Sequence, residues 1–237
     1  MKKGLGVLLV LSLLAIISFL LPACQEKEGE EEKAPGGQLP VYQVGDKWVW
    51  SYVMNEMTYT LTEEVTGEET VEGRDCYIID MSFDPVISST HGDVVYTVTG
   101  MKYWADKATT FLGVKMEQSV TGNEQTFTST THYSYNPWAS LFPLEIGKVT
   151  ETENTTTQYS DGTQRGNPVV TTEKYVVDGK EDVTVTAGTF SCWKITMYGS
   201  AGNLTLTMWY SDQAKNAVKM TDAEGNTMME LKSYSIN

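Results

Sequence analysis

Side chains able to do chemistry are few in this chain. His91, in "SSTHGD", and His132, in "TSTTHYSYN", are its two imidazoles. Ser88, His91 and Asp93 could be written out as a serine triad. A triad is defined by geometry, however, and such clusters are common in turn-rich loops. No Cys-x-x-Cys or His-x-x-x-His spacing offers a zinc site, and neither an EF-hand loop nor a phosphate-cradling glycine loop is present. The 31 acidic residues show no spacing that singles out a general acid and base. No catalytic residue, metal or cofactor is assigned, and the chain reads as a protein that binds rather than catalyses.

Three cysteines remain. Cys24 ends "LPAC", which follows Lys2, Lys3 and an apolar run from Leu5 to Leu21. This has the shape of a secretory signal. It resembles the bacterial lipoprotein signal, in which a leucine three residues upstream marks a cysteine that is diacylated and becomes the mature N-terminus. The alternative is an uncleaved anchor helix, but the run Leu5–Leu21 would extend only ~25 Å, short for a bilayer span. Either reading places the rest of the chain outside the cytoplasm, held to a membrane. The expected organisation is a signal peptide over 1–23, a lipidated Cys24 with an acidic spacer over 24–39, and one β domain over 40–237. Two acyl chains would hold such a domain stably. The spacer "QEKEGEEEKAPGGQLP" has almost nothing to bury and reads as disordered.

The formal charge is −14, and −16 without Lys2 and Lys3. With no basic patch, nucleic acid is excluded as a partner.

From Val41 onward the chain alternates. Trp48, Trp50, Tyr52 and Met54 lie on one face of "KWVWSYVM"; Leu204, Leu206, Met208 and Tyr210 do so in "NLTLTMWY". A period of two, rich in Thr, Tyr, Val and Trp, specifies half-buried antiparallel strands. Ten to fourteen are expected, divided by turn signals such as "SDG" and "DAEGN". No long amphipathic helix is found, and short helical turns are possible only near 136–140 and 211–215.

The two halves, about 40–120 and about 140–237, look alike. Gly45 in "VGDK" matches Gly147 in "IGKV", and Gly67 matches Gly179. Cys76 in "VEGRDCYIIDM" matches Cys192 in "TAGTFSCWKITM". "WADKATTFLGVKM" matches "WYSDQAKNAVKM". The fold expected is all-β: a curved antiparallel sheet, an incomplete barrel or a sandwich, built from two duplicated meanders.

The string V-x-V-x-AGTF-x-C-x-x-I (183–195), the following "WYSD" (209–212) and the closing "VKM" (218–220) are similar to exported β-rich domains of unknown function related to the LolA/LolB lipoprotein-localisation fold. That resemblance implies a strongly curved, incomplete barrel whose apolar concave face can hold acyl chains. The string itself carries no catalytic residue.

Six Trp, thirteen Tyr and eleven Met supply apolar surface. Trp48, Trp50, Tyr52, Tyr77, Ile79 and Met81 of the first half, with Trp193, Ile195 and Met197 of the second, are the candidate lining of a shared apolar cavity. The function expected is that of a lipid-anchored envelope protein binding a hydrophobic ligand or lipid there. The alternative is an envelope structural or protein-interaction module without a small ligand. Cys76 and Cys192 fall on the opposite strand face from Tyr77, Ile79 and Met81 and from Trp193, Ile195 and Met197. Outside the cytoplasm they form either one bridge between the halves or two separately buried thiols. The sequons at Asn154 and Asn203 are treated as chance matches in a Thr-rich chain.

Overall fold

The computed structural model describes residues 36–237 apart from 92, 110 and 111. The signal segment 1–23 and Cys24 lie outside the described residues. Alternation becomes strand wherever it was expected. The first seven strands are β1 (Lys47–Met54), β2 (Met57–Val71), β3 (Arg74–Asp84), β4 (Ser88–His91), β5 (Val94–Asp106), β6 (Gly113–Gly122) and β7 (Gln125–Asn136). The second seven are β8 (Val149–Ser160), β9 (Thr163–Gln164), β10 (Val169–Val185), β11 (Gly188–Tyr198), β12 (Leu204–Ser211), β13 (Asn216–Asp222) and β14 (Thr227–Ser235). No helix occurs among the described residues; 212–215 forms a turn and 137–140 runs irregularly.

Every pairing is antiparallel. The order runs β10-β11-β12-β13-β14-β1-β2-β3-β5-β6-β7-β8, and a β8–β10 pairing closes the ring. Twelve strands therefore form a closed barrel, with β4 hung on β5 and β9 on β8. The curved antiparallel sheet is the expected architecture, but it does not stop at an incomplete barrel. Closure removes the open edges at which other strands could add. Two seams join the halves: β1 pairs β14 from Lys47↔Ser235 to Tyr52↔Met229, which brings the two ends of the described chain together, and β7 pairs β8 from Ser129↔Ser160 to Asn136↔Glu153.

The two sets of six ring strands share their pairing in detail. Cys76 stands opposite Glu69 and Cys192 opposite Glu181. Ile78↔Trp104 and Trp104↔Lys115 correspond to Lys194↔Trp209 and Trp209↔Lys219. Both long strands carry a bulge at the same place, Val65/Gly67 in β2 and Val177/Gly179 in β10. Gly45 and Gly147 both adopt positive φ, +94° and +84°, in the turns that feed β1 and β8. The first set extends to Asn136, past the boundary near 120 expected from the sequence, because β7 has a weak apolar pattern.

One end of the barrel is sealed by two crossing segments. Gly37 and Leu144 exchange backbone hydrogen bonds of 3.1 and 2.8 Å. Leu141, Phe142, Leu144 and Tyr42 are buried beneath them. Gly36–Leu39, assigned from sequence to the spacer, thus belongs to the folded unit: Gly37 is pinned and Leu39 packs on the core.

Each half also folds one hairpin back over its own outer face. Beneath the β2–β3 tip lies a small second core of Cys76, Trp104 and Val114, with Val71, Ile78 and Trp138 packed against it. The β10–β11 tip sits over β14, where Ala187 N–H donates to the Leu231 carbonyl at 3.0 Å and Phe190 meets Tyr234.

Candidate functional site

All nine residues proposed for an apolar cavity join a single buried cluster in the barrel interior. Trp48, Trp50 and Ile195 are 0% exposed, and the most exposed of the nine, Ile79, reaches 8%. They are packed against one another and their neighbours as a core. The Trp48 indole donates to the Ala214 carbonyl at 2.7 Å, and that of Trp193 to Asp212 at 3.1 Å.

The interior has polar members that the sequence reading missed. Glu63, Gln118, Asn154 and Glu173 are all buried. Glu63 accepts from the Trp50 indole at 3.3 Å and from the Asn216 amide at 3.5 Å. Burial nonetheless pushes its carboxyl up to about 7. Glu173 accepts from Asn154 Nδ2 at 3.0 Å and the Tyr175 hydroxyl at 2.9 Å, and burial raises it too. The signal was faint. Strands "TSTTHYSYN" and "TETENTTTQYS" look solvated, yet their inward positions, such as Thr131, Thr150, Thr152 and Asn154, are at most 5% exposed. The sequon at Asn154 is therefore internal, while Asn203 is exposed.

Cys76 and Cys192 are free and buried. The bridge weighed from sequence does not form. Strands β3 and β11 are six places apart in either direction around the twelve-strand ring, so the two thiols lie on opposite walls. Both face away from the interior, as parity predicted, and each is covered by its own half. Each Sγ donates to the carbonyl two residues earlier, Arg74 or Phe190, at 3.4 Å. Burial pushes the thiols up to about 11 and about 12, so neither is a nucleophile near neutrality.

Of the three residues written out as a serine triad, His91 has a side chain outside what the structure describes. The Ser88 hydroxyl bonds to that of Thr97 at 3.1 Å. His132 is engaged elsewhere, its Nδ1 lying 2.6 Å from Glu72 and its ring against Tyr159. Among the described residues no group of three or more His, Cys, Asp or Glu gathers as metal ligands.

Open space lies on the outer wall of the first half. One hollow of about 470 Å³ sits over β1, β2, β3, β5, β6 and β7, lined by Lys47, Glu64, Asp80, Lys102 and Ser119 among others. A second, of about 580 Å³, lies over β6, β7 and β8 with Lys115, Thr130, His132 and Tyr159 in its lining. They meet at Glu117, which borders both. The charges are paired: Lys47 with Glu64 at 2.8 Å, Lys102 with Asp80 at 2.8 Å and Lys115 with Glu117 at 2.5 Å.

This geometry defines a class: a closed, twelve-strand, up-and-down antiparallel barrel with a packed interior and a polar furrow outside. No protein-family model and no curated protein matches the chain. Among solved structures, one similar chain is described as an exported protein with a YmcC-like fold, from Bacteroides fragilis NCTC 9343. It has 13% identity and a TM-score of 0.42, with 84% of this chain and 99% of that one covered. Another is described as a lipoprotein from Parabacteroides distasonis ATCC 8503, at 12% identity and a TM-score of 0.35, with 86% and 100% covered. Both are distant likenesses. The resemblance to the LolA/LolB fold is not among these findings.

Proposed function

We propose that this chain is a lipid-anchored, extracytoplasmic barrel, a tandem duplication of a six-strand unit, that binds a partner or ligand on its outer wall and performs no catalysis. The anchor rests on the "LPAC" signal ending at Cys24. Duplication is supported by the matched registers and bulges. The observation that carries the binding mode is the packed interior: Trp48, Trp50, Leu61, Val177, Ile195 and Leu231 are each 0% exposed, so no water-sized space touches them. A lipid held inside would have to displace this core. The alternative of an envelope interaction module is thereby favoured over an acyl-chain carrier.

Membrane fractionation of the full chain and of Cys24→Ala tests the anchor, with the variant expected to leave the membrane fraction. Native mass spectrometry of the detergent-extracted protein tests the interior. A stoichiometric, detergent-resistant lipid would restore the carrier reading.

A further inference from the structure

We infer that the outer furrow of the first half is a binding site for a linear, uncharged, hydroxyl-rich chain, a neutral oligosaccharide. The inference deepens the outer-wall reading above and depends on it.

Its backbone is a single cross-strand row. Glu64, Asp80, Lys102, Glu117 and Thr130 stand opposite one another on successive strands, with Lys47 at one end and Tyr159 at the other. Seven strands at about 4.8 Å spacing make the row ~29 Å long. All of its members are at least partly exposed. The flanking residues are small and carry hydroxyls: Thr62, Thr66, Ser82, Ser119 and Thr128.

Charge and shape select the ligand. Lys47, Lys102 and Lys115, the last beside Glu117 on β6, are tied to Glu64, Asp80 and Glu117, so most of the furrow's charge is paired; Glu72, facing His132, adds one further carboxylate in a chain of net charge −14. A polyanion meets the repulsion of the whole molecule, and a polycation would have to break the existing pairs. An acyl chain would have to strip water from three ion pairs without replacing its hydrogen bonds. Paired ammonium and carboxylate groups, held in place, offer strong donors and acceptors to neighbouring hydroxyls without net charge. Tyr159 at the end supplies an aromatic edge beside His132.

The second half provides an internal control. At the places of Asp80, Lys102 and Glu117 it has Thr196, Thr207 and Thr221, which pair in the same register. Those threonines are 7%, 7% and 5% exposed. The scaffold therefore accepts a covered threonine row here, and the charged, open positions 80, 102 and 117 distinguish the first half from the second.

The test is an array of linear neutral and anionic oligosaccharides probed with the detergent-solubilised full chain, followed by calorimetric titration of the hits. Saturable binding to a neutral series is expected. The triple variant Asp80→Thr, Lys102→Thr, Glu117→Thr, which installs the second half's own residues, should weaken binding by at least about tenfold with an unchanged Tm. Should that variant not fold, Lys102→Thr alone, at an exposed position, serves the same comparison. Binding confined to anionic chains, equal binding by the variant, or capture of a protein by the furrow in place of any glycan would overturn the inference. No glycan binding by a protein that still fractionates with membranes would overturn it while leaving the anchor intact.

Discussion

Glu63 sits inside the barrel with the Trp50 indole donating to it, and burial holds its carboxyl near 7. Its folded-state value lies above the ordinary 4.5, so the fold favours the protonated form. The stability this contributes is present below about pH 4.5 and is lost as pH rises through about 7, a swing of about 3 kcal/mol. Glu173 is shifted in the same direction. The wild-type Tm should therefore fall from pH 5 to pH 8.5, and Glu63→Gln should flatten that fall; an identical slope in the variant would remove Glu63 from the account. The two thiols give a second residue-scale prediction. Neither Cys76 nor Cys192 should react with an alkylating reagent in native protein, and both should react in denaturant. A reductant should leave Tm unchanged, because there is no bridge to break.

The two folded-back hairpins are secured by different chemistry at matching places. In the first half Glu72 reaches His132 on β7, which stands opposite Lys115. In the second half the Thr186 N–H and hydroxyl both donate to Glu230 on β14, each at 3.0 Å, and Glu230 stands opposite Lys219. Deeper in each hairpin the fastening is the same: the Trp104 indole donates to Glu69 at 2.7 Å, and that of Trp209 to Glu181 at 2.5 Å. Thr186→Ala, followed by denaturant titration, should cost about 1 kcal/mol through the lost hydroxyl bond to Glu230, the backbone N–H bond being kept. A double-mutant cycle on Glu72 and His132 should give less than about 1 kcal/mol, because Glu72 is half exposed and water reaches the pair. A coupling of several kcal/mol would mean that the first clasp is far stronger than its exposure allows.

Across the whole molecule, stability depends on two seams. The first half contributes β1 and β7 to them and the second contributes β14 and β8, so neither half completes its sheet alone. Unfolding should be one cooperative transition in calorimetry, with tryptophans of both halves reporting the same midpoint. Two resolved transitions would show that the halves are stable apart. A segment carrying only 36–136 would expose β1 and β7 as long unpaired edges, and should either dimerise or aggregate.

Local chemistry makes much of this legible from residues alone. Side-chain direction in a strand depends only on parity, so the alternation in "KWVWSYVM" is enough to turn Trp48, Trp50 and Tyr52 inward together. The matched glycine turns, the matched cysteines and the recurring Trp and Val-Lys-Met signals mark two similar halves for the same reason: each is a local requirement repeated. What no local pattern could fix is which strands become neighbours. Ring closure joins Trp48 to Tyr234, and the order of strands around the ring decides that β3 and β11 face apart, which leaves Cys76 and Cys192 free. Closure also buried Asn154 and Glu173 in strands that read as solvated, since burial depends on what lies across the barrel and not on the strand itself. The outer row from Lys47 to Tyr159 has the same origin. Its members are scattered through the sequence and become a furrow only because seven strands lie side by side in one register.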